Sequence, residues 1–355
     1  MSDTKRRYSL DVLKICATVL MVFHHYQQVI GGRFRFVNFY DGRFYYGYLV
    51  ELFFLLSGLF MLSYVERILS GLSFESFFKR RWLRLAPMLA VTAAAYEVLA
   101  VIYNTAVHGS PEGNMFSLLA TLTASLGISA GGAFNSPDPG VNNPAWYVCV
   151  LIICYAVLYI LCRAAKKHGV SPKYLFAAMV LLGIAGRNYG FDLPFLNGYT
   201  CRGYYAFFAG VLLGGMINGR RLPLGLYAAA AAVCIGIPAT IVFVPSFVNN
   251  GIEFIVTFIF YPALIILFAS PLASRLLKAR FIGTLGAISF NVFMWHASLL
   301  LLLKLISLKT ELPFSVQSFP AMLIFTAIAY AFGAVSHLLI EKPIDKLLKR
   351  TVDGY

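Results

Sequence analysis

The chain has 355 residues, of which 59% are hydrophobic and only 12% charged, and its mean hydropathy is +0.75. Soluble domains carry about 25% charged residues, so this composition excludes a soluble protein and specifies an integral membrane one. The formal charge of +14 is read as anchoring to the inner leaflet, with no nucleic-acid partner, the alternative being a part in binding an anionic ligand.

In chain order, apolar segments fall at 10–30, 47–65, 83–103, 145–162, 174–191, 202–218, 225–244, 252–271, 283–306 and 320–340, each near the ~20 residues of a spanning helix. The expected fold is all-α: one polytopic membrane helix bundle over 1–355 with about ten transmembrane helices. The 174–191 segment is the weakest, interrupted by Gly183, Gly186 and Arg187. Placing both termini in the cytoplasm puts 21 of the 29 Lys and Arg inside, as the positive-inside rule requires. The outside set is then Arg33, Arg35, Arg43, Arg187, Arg202, Lys304 and Lys309, and the long 104–145 connection has none. That connection carries an apolar patch at 115–128, suited to lying against the membrane or re-entering it. Six cysteines without CxxC spacing suggest small apolar fillers rather than a disulfide framework or a zinc site. No cleavable signal peptide is read before the first helix.

Taken along the same chain, the chemistry-bearing residues begin with Lys14 and His25 in the first apolar segment. Eleven helical steps return to within about 20° of the starting direction, so the two share one face roughly 16 Å apart. Charge inside hydrocarbon costs several kcal/mol unless it faces the bundle interior or water, which makes this pair a candidate site. Imidazole can accept a hydroxyl proton and return one; the ordinary alternative for His25 is a hydrogen bond to a neighbouring helix. His24 is turned about 100° away, and the spacing from Lys14 favours His25. Asp11, three residues before Lys14, is placed to orient it. Glu51 is an ionisable group near the outer face, expected to bind acceptor hydroxyls or to pair with Arg33, Arg35 or Arg43. Ser57 and Gly58 suit close helix approach, with the hydroxyl hydrogen-bonding inside the bundle; no His/Asp dyad surrounds Ser57 to make it a nucleophile.

Arg81 and Arg84, in FFKRRWLRLAP at 77–87, lie on adjacent turns of one face, where guanidinium forks suit phosphate oxygens or act as positive-inside anchors. Pro87 is placed to kink the third segment. Trp146 and Tyr147 open the fourth segment at the outer interface, where an aromatic belt is expected. His296 lies within the ninth segment, with a polar tie between helices as its ordinary reading, and Glu341 and Lys342 are read as capping the bundle on the cytoplasmic side. No phosphate-binding glycine loop, HExxH, dinucleotide fingerprint or dense carboxylate pair is found, and no metal site is assigned.

The stretches RRYSLDVLKICATVLMVFHH (6–25), FFLLSGLFM (53–61), FFKRRWLRLAP (77–87), PAWYVCVLIICYAVLY (144–159), GAISFNVFMWH (286–296) and IEKP (340–343) together resemble the acyltransferase-3 family of membrane O-acyltransferases. The resemblance covers essentially the whole chain, and Lys14 with His25 fits the family's Arg/Lys, ten residues, His signature. It implies about ten membrane helices, an acyl-CoA donor from the cytoplasm and an acceptor hydroxyl, often on a sugar of an envelope polysaccharide or glycolipid. It also implies a donor-side role for Lys14, Arg81 and Arg84, and His296 matches a family histidine. Leu151 stands where many members carry a glutamate five positions after the tryptophan, so a mechanism relying on that carboxylate does not carry over.

The expected activity is therefore O-acyl transfer, with acetyl from acetyl-CoA as the acyl group and His25 as general base. Lys14 assists, Arg81 and Arg84 hold the donor, and Asp11, Glu51, Ser57, Trp146 and His296 support the site or bind the acceptor. The expected partners are acyl-CoA, a carbohydrate or glycolipid acceptor and membrane lipids, in a bacterial cytoplasmic membrane. Direct transfer and an acyl-histidine intermediate both stay open. The rival reading, a transporter or flippase for a polar lipid or sugar, would also use intramembrane Lys, His, Glu and Arg, but lacks a matching pair of broken helices in two halves. Acceptor specificity is expected in the outer connections 31–46, 104–145, 188–201 and 244–251.

Overall fold

A computed structural model of the chain describes residues 8–35, 37–109, 142–220, 222–248, 251–311 and 314–352, together with Thr123. Lys5, Arg6, Arg7 and Arg221 of the charge argument, and most of the 104–145 connection with its 115–128 patch, lie outside the described residues.

Helices form wherever the apolar segments were expected. They are α1 (Tyr8–Ile30), α2 (Leu49–Leu59), α3 (Leu62–Leu69), α4 (Phe74–His108), α5 (Ala145–His168), α6 (Pro172–Asn188) and α7 (Gly198–Ile217). After them come α8 (Leu224–Phe243), α9 (Ile252–Phe268), α10 (Pro271–Leu276), α11 (Arg280–Lys309), α12 (Phe319–Ser336) and α13 (Lys342–Val352). No strand occurs among the described residues. Local chemistry sets several ends. The Ser73 hydroxyl accepts from the Ser76 N–H ahead of α4, and Asn197 and Thr200 form a capping box on α7, each satisfying donors the first turn leaves orphaned. Gly109 and Gly169 close α4 and α5 in the left-handed conformation that glycine adopts without penalty.

Among the described residues five helices are long and apolar enough to cross a membrane: Phe74–His108, Ala145–His168, Leu224–Phe243, Arg280–Lys309 and Phe319–Leu347. A sixth results if the pair Tyr46–Leu59 and Leu62–Leu69, bent by 42°, is one span. The protein is thus an all-helical integral membrane protein. The 174–191 segment, weak in the sequence, forms the 17-residue α6. Single π-helical turns at Val256–Phe260 and His337–Glu341 interrupt α9 and extend α12. Pro87 is absorbed within a continuous α4.

The core is built by close backbone approach. A Cβ on Gly58 would collide with the Phe207 carbonyl, and one on Gly210 with the Leu55 carbonyl, so these glycines let α2 and α7 pack backbone to backbone. This is the role the small pair at 57–58 suggested. The packing of α1 on α11 uses the same device: a Cβ on Gly286 would lie 2.6 Å from the Asp11 Cβ. Asp11 meets Gly286 and His25 meets His296, so α1 and α11 run in the same direction. Helices α4 and α12 flank α11. Four of the six cysteines are buried fillers, but Cys16 is exposed.

Candidate functional site

The α1–α11 contact holds a pair of imidazoles. His25 Nδ1 and His296 Nε2 are 2.6 Å apart. The ring centroids are 4.9 Å apart and the planes differ by 5°; because the nitrogens approach so much closer than the centroids, the rings meet edge to edge in a common plane rather than face to face. His296 Nδ1 lies 2.6 Å from the Phe293 carbonyl oxygen, which can only accept, so Nδ1 carries the proton. In the neutral ring Nε2 is then an acceptor, and His25 Nδ1–H must donate to it. One lone pair is left over, on His25 Nε2. His296 is completely buried and His25 partly accessible. The chain from the Phe293 carbonyl through His296 to His25 therefore fixes a tautomer whose basic nitrogen belongs to the more accessible ring.

His24 is engaged elsewhere. Its Nδ1–H donates to the Phe39 carbonyl at 2.8 Å, and its ring packs on Tyr40 and Tyr45, so it pins the 31–46 connection to α1. Gln27 joins it, accepting from the Phe39 N–H and donating to Asn38 at 3.2 Å.

Toward the other end of α1, Lys14 Nζ donates to Asp11 Oδ1 at 3.2 Å and sits 4.8 Å from the centroid of the Phe60 ring. Its side chain keeps 32% exposure against 7% for Asp11. The Arg81 guanidinium lies 4.0 Å over the Tyr64 ring with Tyr155 beyond it, a cation–π arrangement, and Arg84 is exposed.

Glu51 is corrected in its partner. It is fully buried, and its partner is Arg202 rather than Arg33, Arg35 or Arg43. Arg202 grips it in a bidentate pair (Nε to Oε1 2.6 Å, Nη2 to Oε2 2.9 Å), Tyr205 donates to it at 2.8 Å, and Arg202 also donates to the Gly47 carbonyl at 2.9 Å. Arg202, counted with the outer connections, thus lies inside the bundle. Trp146 is corrected too: it is only 8% exposed and packs on Phe54 and Tyr199 with Arg202 5.1 Å from its ring. An anchor in a lipid-facing belt would stay open to the headgroups. Ser57 and Tyr147 share a 3.1 Å hydrogen bond, and Arg187 pairs with Glu253 at 3.0 and 3.2 Å.

Two polar groups escaped the sequence reading. Asn142 donates to the Met294 carbonyl at 3.1 Å from a completely buried position, tying the start of α5 to the turn of α11 that carries His296. Asn291 joins a relay in which Trp295 donates to Ser336 at 2.8 Å, Ser336 to Asn291 at 3.1 Å and Asn291 to Glu341 at 2.5 Å, with His337 also donating to Glu341 at 2.7 Å. Glu341 therefore links α12 to α11 rather than merely closing the last turn. The signal for Asn291 was its place in an apolar segment, where a buried amide needs partners; its partner lies 50 residues on.

Searches of curated proteins and of solved structures return no match. The acyltransferase-3 profile, described as an acyltransferase domain, matches residues 7–336, almost the whole chain, and it takes in both histidines, Lys14, Arg81 and the Glu51–Arg202 pair. The protein belongs to the acyltransferase-3 family.

Proposed function

We propose that the protein transfers an acyl group, acetyl in the simplest case, from cytoplasmic acyl-CoA to a hydroxyl of an envelope carbohydrate or glycolipid, with His25 as general base. The observation that carries the reading is the hydrogen-bond chain Phe293 carbonyl, His296, His25, which leaves His25 Nε2 as the accepting nitrogen. In the reaction His25 Nε2 takes the hydroxyl proton as the oxygen attacks the thioester carbonyl. The new O–acyl bond forms, the C–S bond breaks, and the proton returns to the departing thiolate. The resulting imidazolium keeps its Nδ1–H on His296, whose lone pair offsets the charge while it lasts. Lys14, oriented by Asp11, and Arg81 with Arg84 hold the anionic donor. Trp146, Glu51 and Ser57 support the bundle behind the site.

In the same reading the chain crosses a bacterial cytoplasmic membrane about ten times as one domain, with both termini in the cytoplasm, and α1, α6, α7 and α9 add to the longer apolar helices. This topology assigns 21 of the 29 Lys and Arg to the cytoplasmic side, and the positive-inside rule supports it.

The test is thiol release from acetyl-CoA by detergent-purified protein supplied with mixed envelope glycans, comparing wild type with His25→Ala and His24→Ala. Release with acetylated glycan, lost in His25→Ala and retained in His24→Ala, is the expected result. Wild-type protein that neither binds nor consumes any of several acyl-CoAs overturns the donor assignment.

A further inference from the structure

On the flank of α1 away from the histidine pair, helices α1, α2, α8 and α9 enclose a cavity of about 1070 Å³, larger than the roughly 300–1,000 Å³ of ordinary small-molecule pockets. Leu13, Cys16, Ala17 and Leu20 form one stripe of α1 along its wall. This stripe is turned about 100° from the one bearing Lys14 and His25. Facing walls come from Leu52, Ile241, Phe260 and Leu264. The polarity is segregated. Arg35, Asn38, Asp41 and Arg43 line one end, all from the 31–46 connection, and the remainder is almost wholly apolar. That connection carries three arginines against one carboxylate, and the carboxylate, Asp41, is held by Arg33 at 3.0 Å. Arg43 donates to the Val242 carbonyl, which holds its guanidinium at the rim. The cavity also opens sideways: Cys16, in the middle of an apolar helix, and Val242 are both exposed.

The geometry points to a bound glycerophospholipid with an anionic head, its hydrocarbon in the apolar cleft and its phosphate against Arg35 and Arg43. A hydrocarbon chain matches the walls and phosphate oxygens match guanidinium forks. The lateral opening lets a bilayer lipid enter without leaving the membrane. This site is independent of the acyl-transfer reading, because it uses neither histidine.

Native mass spectrometry of protein reconstituted in equimolar phosphatidylglycerol and phosphatidylcholine tests it. Wild type is expected to retain one phospholipid, phosphatidylglycerol preferred roughly tenfold or more, the scale that two basic side chains give an anionic lipid. Cys16→Trp, which fills the cleft from an exposed position, should remove the retained lipid. Arg35→Gln with Arg43→Gln should leave a lipid bound with no head preference; these side chains are at the surface, so this arm stands if the first variant folds poorly. Retention unchanged in Cys16→Trp, meaning annular lipid only, or a wild type indifferent to the head group, overturns the proposal.

Discussion

Two buried polar centres sit in one bundle and are built on opposite principles. The Glu51–Arg202 centre between α2 and α7 is closed: both carboxylate oxygens are taken by guanidinium N–H groups, Tyr205 adds a third donor, and Arg202 spends a further N–H on Gly47. The His25–His296 centre between α1 and α11 is open, a neutral chain of donors ending in an unspent lone pair on the more accessible ring. A closed charged centre rigidifies, because any move breaks a charge-assisted bond in low dielectric. An open neutral one is ready to take a proton. Burial and ionisability alone do not distinguish the two centres; what distinguishes them is whether every accepting atom already holds a donor, as both Glu51 oxygens do and His25 Nε2 does not.

Breaking the closed centre should have the largest effect. Glu51→Gln leaves Arg202 buried without its counter-charge, and removing one member of such a pair costs about 3–5 kcal/mol; thermal unfolding in detergent should show a sharply lowered midpoint, with lost activity following from lost fold. At the open centre the expected loss is catalytic. His296→Ala removes the acceptor that orients His25, and turnover should fall by about 100-fold, near the low end of what general acid–base catalysis supplies. KM for the donor and the unfolding midpoint should stay close to wild type, and His296→Gln, which restores an acceptor, should recover part of the rate. A smaller effect, about 1–3 kcal/mol, is expected from Gly286→Ala, which overpacks the α1–α11 seam against Asp11; rate and midpoint should fall together. Smallest of all, Glu51→Leu with Arg202→Met removes both charges at once and should cost less than either single change, since well-packed apolar replacements of a buried pair are often neutral. A double variant as unstable as Glu51→Gln would show that Tyr205 and Gly47, rather than the charges, hold the centre.

The helices were legible because apolar length is a local property, and the shared face of Lys14 and His25 follows from helical period alone. The Lys14–Asp11 contact was visible for the same reason, its partners being one turn apart. Glu51 shows where reading a sequence stops. The need for a cation was clear, but the near arginines at 33, 35 and 43 were the wrong ones, and Arg202 lies 151 residues away. Its place near the start of an apolar helix was the available sign, obscured because it was also counted outside in the charge balance. Trp146 misled in the same way: a tryptophan at a helix start reads as interfacial until the arginine beneath it is seen. Asn142 and Asn291 carried no periodic signal, since their partners are a carbonyl and a carboxylate on other helices.

The histidine pair also has a history within synthesis. Its members are separated by 271 residues, and at about 5–20 residues per second a ribosome needs roughly 14–54 s to bridge them. Throughout that interval α1 holds an imidazole inside the nascent bundle with no neighbour to fix its tautomer. The contact can form only near the end of translation, when α11 joins α1, so a chain halted just before α11 carries most of the helices and an imidazole at position 25 without the neighbour that orients it.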